Sequence, residues 1–90
     1  MKVLQSAIFG RTLKKLHKNQ KSSLDRAIRK LIKNPGAGQL KKGDLAGVRV
    51  YKFKLKTQQY LLAYILDTRK STMTLLALGT HENFYRDIKR

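Results

Sequence analysis

Val48-Arg49-Val50-Tyr51-Lys52-Phe53-Lys54-Leu55 interleaves apolar and basic residues with a period of two. On a strand, that period puts Lys52 and Lys54 on one face and Tyr51, Phe53 and Leu55 on the other. One face is fit for burial, while its neighbour presents cations about 7 Å apart. The stretch therefore predicts a half-buried strand, and the rest of the chain follows as its support.

Downstream, Lys56-Thr57-Gln58 has the composition of a turn. Tyr60-Leu61-Leu62-Ala63-Tyr64-Ile65-Leu66 is almost wholly apolar, as a central strand covered on both faces would be. Asp67-Thr68-Arg69-Lys70-Ser71 is a second polar turn, and Thr72 to Leu78 a third strand ended by Gly79-Thr80. His81 to Arg90 is a short polar tail in which Thr80 is placed to cap a helical turn.

Upstream, Met1 to Gln5 fits a short first strand. From Ser6 the pattern turns helical, with Phe9, Leu13 and Leu16 recurring at spacings of four and three among lysines. His17 is expected near the end of this helix, solvated. Asn19 to Ser23 is expected to break the pattern and cap a second helix. There Leu24, Ala27, Ile28, Leu31 and Ile32 line one face. Asn34-Pro35-Gly36 stops it, and the short connection implies an antiparallel helical hairpin. Ala37 to Gly47 is a glycine-containing loop carrying Lys41 and Lys42. The order of elements predicts one α+β domain over residues 1–90, with the hairpin packed on one face of an antiparallel sheet.

Charge bears most on function. There are 21 Lys and Arg against 5 Asp and Glu, a formal +16, spread through the chain instead of gathered in a tail. Such a balance calls for a polyanionic partner. The N-terminus has no long apolar run, so no leader segment is expected, and no stretch approaches the roughly 20 apolar residues of a membrane span. A cytoplasmic location is the expectation, compatible with the absence of cysteine.

The same residues exclude several chemistries. Two widely separated histidines and no cysteine make no metal-ligand spacing, and no glycine-rich loop leads into a helix to cradle a nucleotide. Five acids leave little for paired-carboxylate catalysis, so neither metal nor cofactor is expected. What remains is cationic. Like charges on Lys52 and Lys54 favour loss of a proton from one, bringing it towards a general base, while the other stabilises charge on a phosphate. If the strands carrying them lie close, His81 completes a set able to protonate a leaving 5′-oxygen. RNA supplies its own nucleophile in the 2′-hydroxyl. Tyr85 is placed to stack on a base. Set against this reading, alternating strand lysines are commonly an exposed face that discourages edge pairing. Tyr51, Phe53, Tyr60, Tyr64 and Phe84 are more often core than stacking platforms.

In their order, the basic hairpin, Gly43-Asp44-Leu45-Ala46-Gly47, Val50 to Leu55, Gln59 to Tyr64 and Leu78-Gly79-Thr80-His81 resemble the RelE/ParE superfamily of small bacterial toxins over nearly the whole chain. The resemblance implies a β-α-α-β-β-β fold with a short helical tail, a basic concave surface opposite the helices, and a cognate acidic antitoxin. In RelE-type members that surface cleaves mRNA on the ribosome. Lys52 and Lys54 look like the paired basic residues of the RelE-type strand. Leu61 stands where those enzymes tend to carry a phosphate-stabilising arginine, and Arg49 and Arg86 are the candidates to replace it. Together with Lys56 they are the expected RNA-binding residues. His81 is similar to the histidine of YafQ- and YoeB-type members. The readings carried forward are a ribosome-dependent mRNA endonuclease using Lys52, Lys54, His81 and Tyr85, and a non-enzymatic ParE-like inhibitor of DNA gyrase. A plain nucleic-acid-binding module, with no toxicity, is the third.

Overall fold

The computed structural model describes residues 1–55, 57–80 and Phe84. Strand β1 (Lys2–Gln5) leads into α1 (Ala7–Lys15), then α2 (Lys18–Lys33), a helical turn at Pro35–Ala37 and a two-residue strand β2 (Gln39–Leu40). A further turn at Gly43–Leu45 precedes β3 (Arg49–Leu55), β4 (Gln58–Asp67) and β5 (Thr72–Thr80). The strands form one sheet in the order β1-β5-β4-β3-β2.

The sheet is mixed, not wholly antiparallel. β3, β4 and β5 meander as expected, but β1 runs parallel to β5, with Lys2 opposite Thr72 and Gln5 opposite Leu75. The 70-residue separation of this pair hides it from local pattern. Ser6 fixes the junction: its backbone N–H donates to the Leu75 carbonyl at 2.9 Å and its Oγ to that of Leu76 at 2.6 Å. The same Oγ accepts from Phe9 N–H at 3.0 Å, capping α1. One hydroxyl thus starts the helix and ties it to the sheet.

α2 begins at Lys18, earlier than the sequence suggested. His17 is its cap, not the end of α1, and the His17 N–H donates to Gln20 Oε1 at 2.9 Å. The apolar stripe of α2 faces the sheet as expected, with Leu24, Ala27 and Leu31 buried. Phe9, Leu24 and Leu31 pack there on Leu62, Tyr64, Met73, Leu75 and Leu78. Tyr51, Phe53 and Tyr60 border this core half-buried.

A second, smaller apolar cluster occupies the far face of the sheet: Val48, Val50, Leu61, Ala63, Ala77 and Phe84. β4 therefore buries both faces, which is why its sequence is continuously apolar. Leu76 has no partner on β4, because the register shifts there between Ala63 and Tyr64.

Tyr64 anchors the end of α2. Its ring is fully buried, and its hydroxyl donates to the Pro35 carbonyl at 2.7 Å while accepting from Gly38 N–H at 2.9 Å. Burial pushes the phenol's pKa up, opposed by the Gly38 hydrogen bond and the nearby Arg49 charge. Glycine is required at position 38: a Cβ there would lie 2.5 Å from the Tyr64 hydroxyl.

Candidate functional site

Alternation along β3 separates its residues by face. Tyr51 and Phe53 turn to the helices, whereas Val50 joins the far-face cluster. Lys52 and Lys54 share Val50's side and are exposed. Lys52 is opposite Leu61 and Lys54 opposite Gln59. Leu61 is in turn opposite Gly79. Lys52, Leu61 and Gly79 thus form one row across three strands. At two interstrand spacings, the Cα atoms at its ends are about 10 Å apart.

The middle of that row is apolar. Leu61 has no exposed surface, and Phe84, 1% exposed, packs in the same cluster. The Phe84 backbone lies beside Gly79, where a Cβ would sit 3.6 Å from Phe84 Cα and N, an ordinary contact. Position 61 is therefore a packing position in this chain.

Arg49 does not join the lysines. It is opposite Tyr64 on β4 and turns to the helix side, where Nη1 donates to the Gly38 carbonyl at 3.1 Å. Its cation braces the turn that Tyr64 also holds. His81, Tyr85, Arg86 and Lys56 lie outside the described residues. Of the site proposed from sequence, the structure thus places Lys52 and Lys54 together and Arg49 apart from them.

The described acids are few and scattered. Asp25 pairs with Arg29 on α2 at 3.0 Å. Asp67 Oδ1 accepts from the N–H groups of Arg69 and Lys70, each at 3.1 Å, which shapes the β4–β5 turn. Among the described residues, no group of three histidine or carboxylate side chains is assembled to hold a metal.

Sequence reading missed a groove of about 370 Å³ between α2 and the outer edge of β3, to which Arg26, Lys30, Tyr51, Phe53 and Lys54 contribute. The Arg and Lys spacing of four on α2 was visible, but from sequence a solvated helix face and a face that helps dock on RNA explain it equally well. Only the position of β3 beneath α2 makes it a lining.

This architecture is shared with solved toxins. The chain superposes on the toxin–antitoxin complex RelBE2 from Mycobacterium tuberculosis with a TM-score of 0.76 at 22% identity, covering 89% of this chain and 96% of that one. The intact E. coli RelBE complex gives 0.71 at 18% identity, over 88% of this chain and 94% of that one. The YoeB/ParE toxin from Agrobacterium tumefaciens gives 0.70 at 16% identity, over 90% and 99%. At these identities the likeness is one of fold: two helices on a mixed sheet, as in RelE. None of the curated proteins compared matches the sequence significantly. The family assignment comes from residues 3–89, which match the ParE-like toxins of type II bacterial toxin–antitoxin systems. The chain belongs to that family and is a toxin of the RelE/ParE superfamily. Among the described residues no helix is long and apolar enough to cross a membrane.

Proposed function

We propose that this toxin halts translation by cutting mRNA on the ribosome, with the RNA's 2′-hydroxyl as nucleophile. The observation that carries the reading is the row Lys52–Leu61–Gly79: it aligns exposed Lys52 of β3, on the face that Lys54 shares, with the β5 residue that stands two before His81 in sequence. One lysine acts as general base and takes the proton from the 2′-oxygen. That oxygen attacks phosphorus, the bond to the 5′-oxygen breaks, and His81 donates a proton to the leaving oxygen. The products are a 2′,3′-cyclic phosphate and a 5′-hydroxyl. The second lysine, still charged, stabilises the phosphorane oxygens. Tyr85 stacks on or orients a base, and Lys56 and Arg86 contact the RNA backbone. The scarcity of carboxylates suits a reaction that needs no divalent ion.

The partner that restrains such a toxin is an acidic antitoxin. Several of the similar solved structures are toxin–antitoxin complexes, and a chain of charge +16 suits a polyanionic segment. The place of action is the cytoplasm, where ribosomes and antitoxin are found.

The test is His81→Ala in a translation reaction programmed with a defined mRNA. Loss of cleavage with an unchanged melting curve is expected. Cleavage at the parent rate would overturn the site.

A second reading has its own observation. Leu61 is wholly buried at the centre of the far face, where a nuclease of this fold would profit from a cation. That favours a ParE-like inhibitor of DNA gyrase in which Lys52 and Lys54 serve only as surface charge. Supercoiling by purified gyrase, assayed with the same protein, separates the two: inhibition without mRNA cleavage selects the gyrase reading.

A further inference from the structure

The groove between α2 and β3 lies on the helix side of the sheet, opposite the Lys52 face. Tyr51 and Phe53 present their rings side by side there, with centroids 6.1 Å apart and planes within 17°. Tyr60 extends the row from β4, its centroid 6.4 Å from that of Phe53. The rings are half-buried, so their inner surfaces support the core while part of each remains open. Arg26 and Lys30, one helical turn apart on α2, and Lys54 on β3 line the groove with these aromatics. Arg26 Nη2 donates to Ser23 Oγ at 3.3 Å, which holds the guanidinium beside the groove. Among the described residues, no acidic side chain lines it. Further along the same face, Tyr60 borders a second hollow with Lys15 and His17. Cations thus border both ends of a three-ring aromatic row.

We propose that this row is a track for single-stranded RNA, separate from the face bearing Lys52. Bases lie against Tyr51, Phe53 and Tyr60, and Arg26, Lys30 and Lys15 take the phosphates. Stacked rings with cations beside them are what a strand of unpaired bases requires, since every base has a flat face and every link a charge. An acidic peptide would satisfy the cations but has no matching use for a row of aromatic rings, Tyr51 and Phe53 near-parallel and Tyr60 tilted by 35° from Phe53. The choice of RNA over DNA rests on the translation reading above. The track would then grip the message or ribosomal RNA while the opposite face reacts.

The test uses the full chain, labelled with ¹⁵N, and a six-nucleotide 2′-O-methyl RNA, which cannot be cleaved. Amide shifts at Ser23, Ala27, Tyr51 and Phe53 are expected. Phe53→Leu keeps an apolar side chain against the core and removes the ring; it should weaken binding about 5- to 150-fold, the range that one stacked base spans. Arg26→Gln with Lys30→Gln removes only exposed charge, so it reports on the groove even if the leucine variant unfolds. It should lower the slope of log affinity against log salt by about 1.4, or roughly 0.7 per phosphate. Lys14→Gln with Lys18→Gln, equal in charge and outside the groove, should leave the groove shifts in place. The proposal is overturned if a base-free sugar–phosphate chain of equal length or a hexaglutamate peptide binds the groove as tightly. It is equally overturned if the RNA shifts only residues of the Lys52 face. Because the RNA cannot react, groove binding without mRNA cleavage would sink the nuclease reading and leave the track standing.

Discussion

Removing one oxygen from the interior gives the sharpest check on the packing described above. In Tyr64→Phe the ring stays, but the hydroxyl that bridges Pro35 and Gly38 is lost. Tyr64 and Gly38 are buried and Pro35 is half-buried, so the freed Gly38 N–H above all is poorly placed to find water. An unsatisfied buried group costs about 1–3 kcal/mol, so the pair sets an expected loss of about 2–3 kcal/mol after local relaxation. For a domain of this size each kcal/mol moves the melting midpoint by about 4–8 °C, which predicts a fall of at least about 8 °C. The alkaline limb adds an independent signature. Burial raises the Tyr64 pKa in the folded state, so its neutral form is favoured by folding. That contribution is fully present below the unfolded value near 10 and is lost as pH rises through the higher folded value. The parent should therefore lose stability above about pH 10 more steeply than the phenylalanine variant. Thermal unfolding followed by circular dichroism, at neutral pH and between pH 9 and 11, measures both effects. A midpoint within 2 °C of the parent, with parallel alkaline limbs, would refute the bridge.

The other predictions test separate parts of the molecule. Gly38→Ala drives a Cβ to 2.5 Å from the Tyr64 hydroxyl and 2.7 Å from its ring, so it should cost at least as much as an overpacked core, about 1–3 kcal/mol, in urea unfolding. Leu61→Arg, which restores the side chain expected of a RelE-type nuclease, should destabilise the domain by several kcal/mol because it places a charge at a site with no exposure. Combined with Phe84→Ala it should recover part of that loss, and strict additivity of the two changes in denaturant titrations would show that Phe84 does not cover Leu61. Lys52→Ala and Lys54→Ala each remove exposed charge, so unfolding free energies should stay within about 0.5 kcal/mol of the parent. In the same proteins, mRNA cleavage should fall by about 10²- to 10⁴-fold for whichever lysine acts as base.

Much of the fold was legible because each element carried its own period. β3 alternates cleanly, and the structure keeps Tyr51 and Phe53 on one side and Lys52 and Lys54 on the other. α2 shows its stripe because Leu24, Ala27 and Leu31 fall on one helical face. Its start was misread because His17 is an uncommon cap and the Gln20 side chain reaches back to it, whereas Ser22 and Ser23 offered a more familiar signal within the helix. The parallel β1–β5 pair and the two-residue β2 had no local signature at all. For the site, the face shared by Lys52 and Lys54 could be read from spacing alone. The diversion of Arg49 to the Gly38 carbonyl could not, since it depends on how the turn after α2 folds against Tyr64. Leu61 looked like a missing cation; its role as an apolar contact for Phe84 appears only once the tail's phenylalanine is seen on the sheet.

The short reach of β2 gives Lys54 an unusual position. β2 pairs only with Arg49 and Val50, so among the described residues no strand lies beside the outer edge of β3 from Tyr51 to Leu55. Such an edge invites pairing with another chain, and lysines along it oppose that. Lys54 is exposed on the Lys52 face yet also contributes to the groove beneath α2, because no described strand covers the edge between the two. If the nuclease reading and the RNA track both hold, the same open edge lets one cation serve a reacting face, a binding groove and protection against aggregation. On that reading, a loss of activity in Lys54→Ala would conflate chemistry with RNA grip, whereas Lys52, absent from the groove lining, would report on the proposed reacting face alone. If both sides of the sheet engage RNA, the salt dependence of binding should fall further for Lys54→Ala than for Lys52→Ala, although each removes one charge.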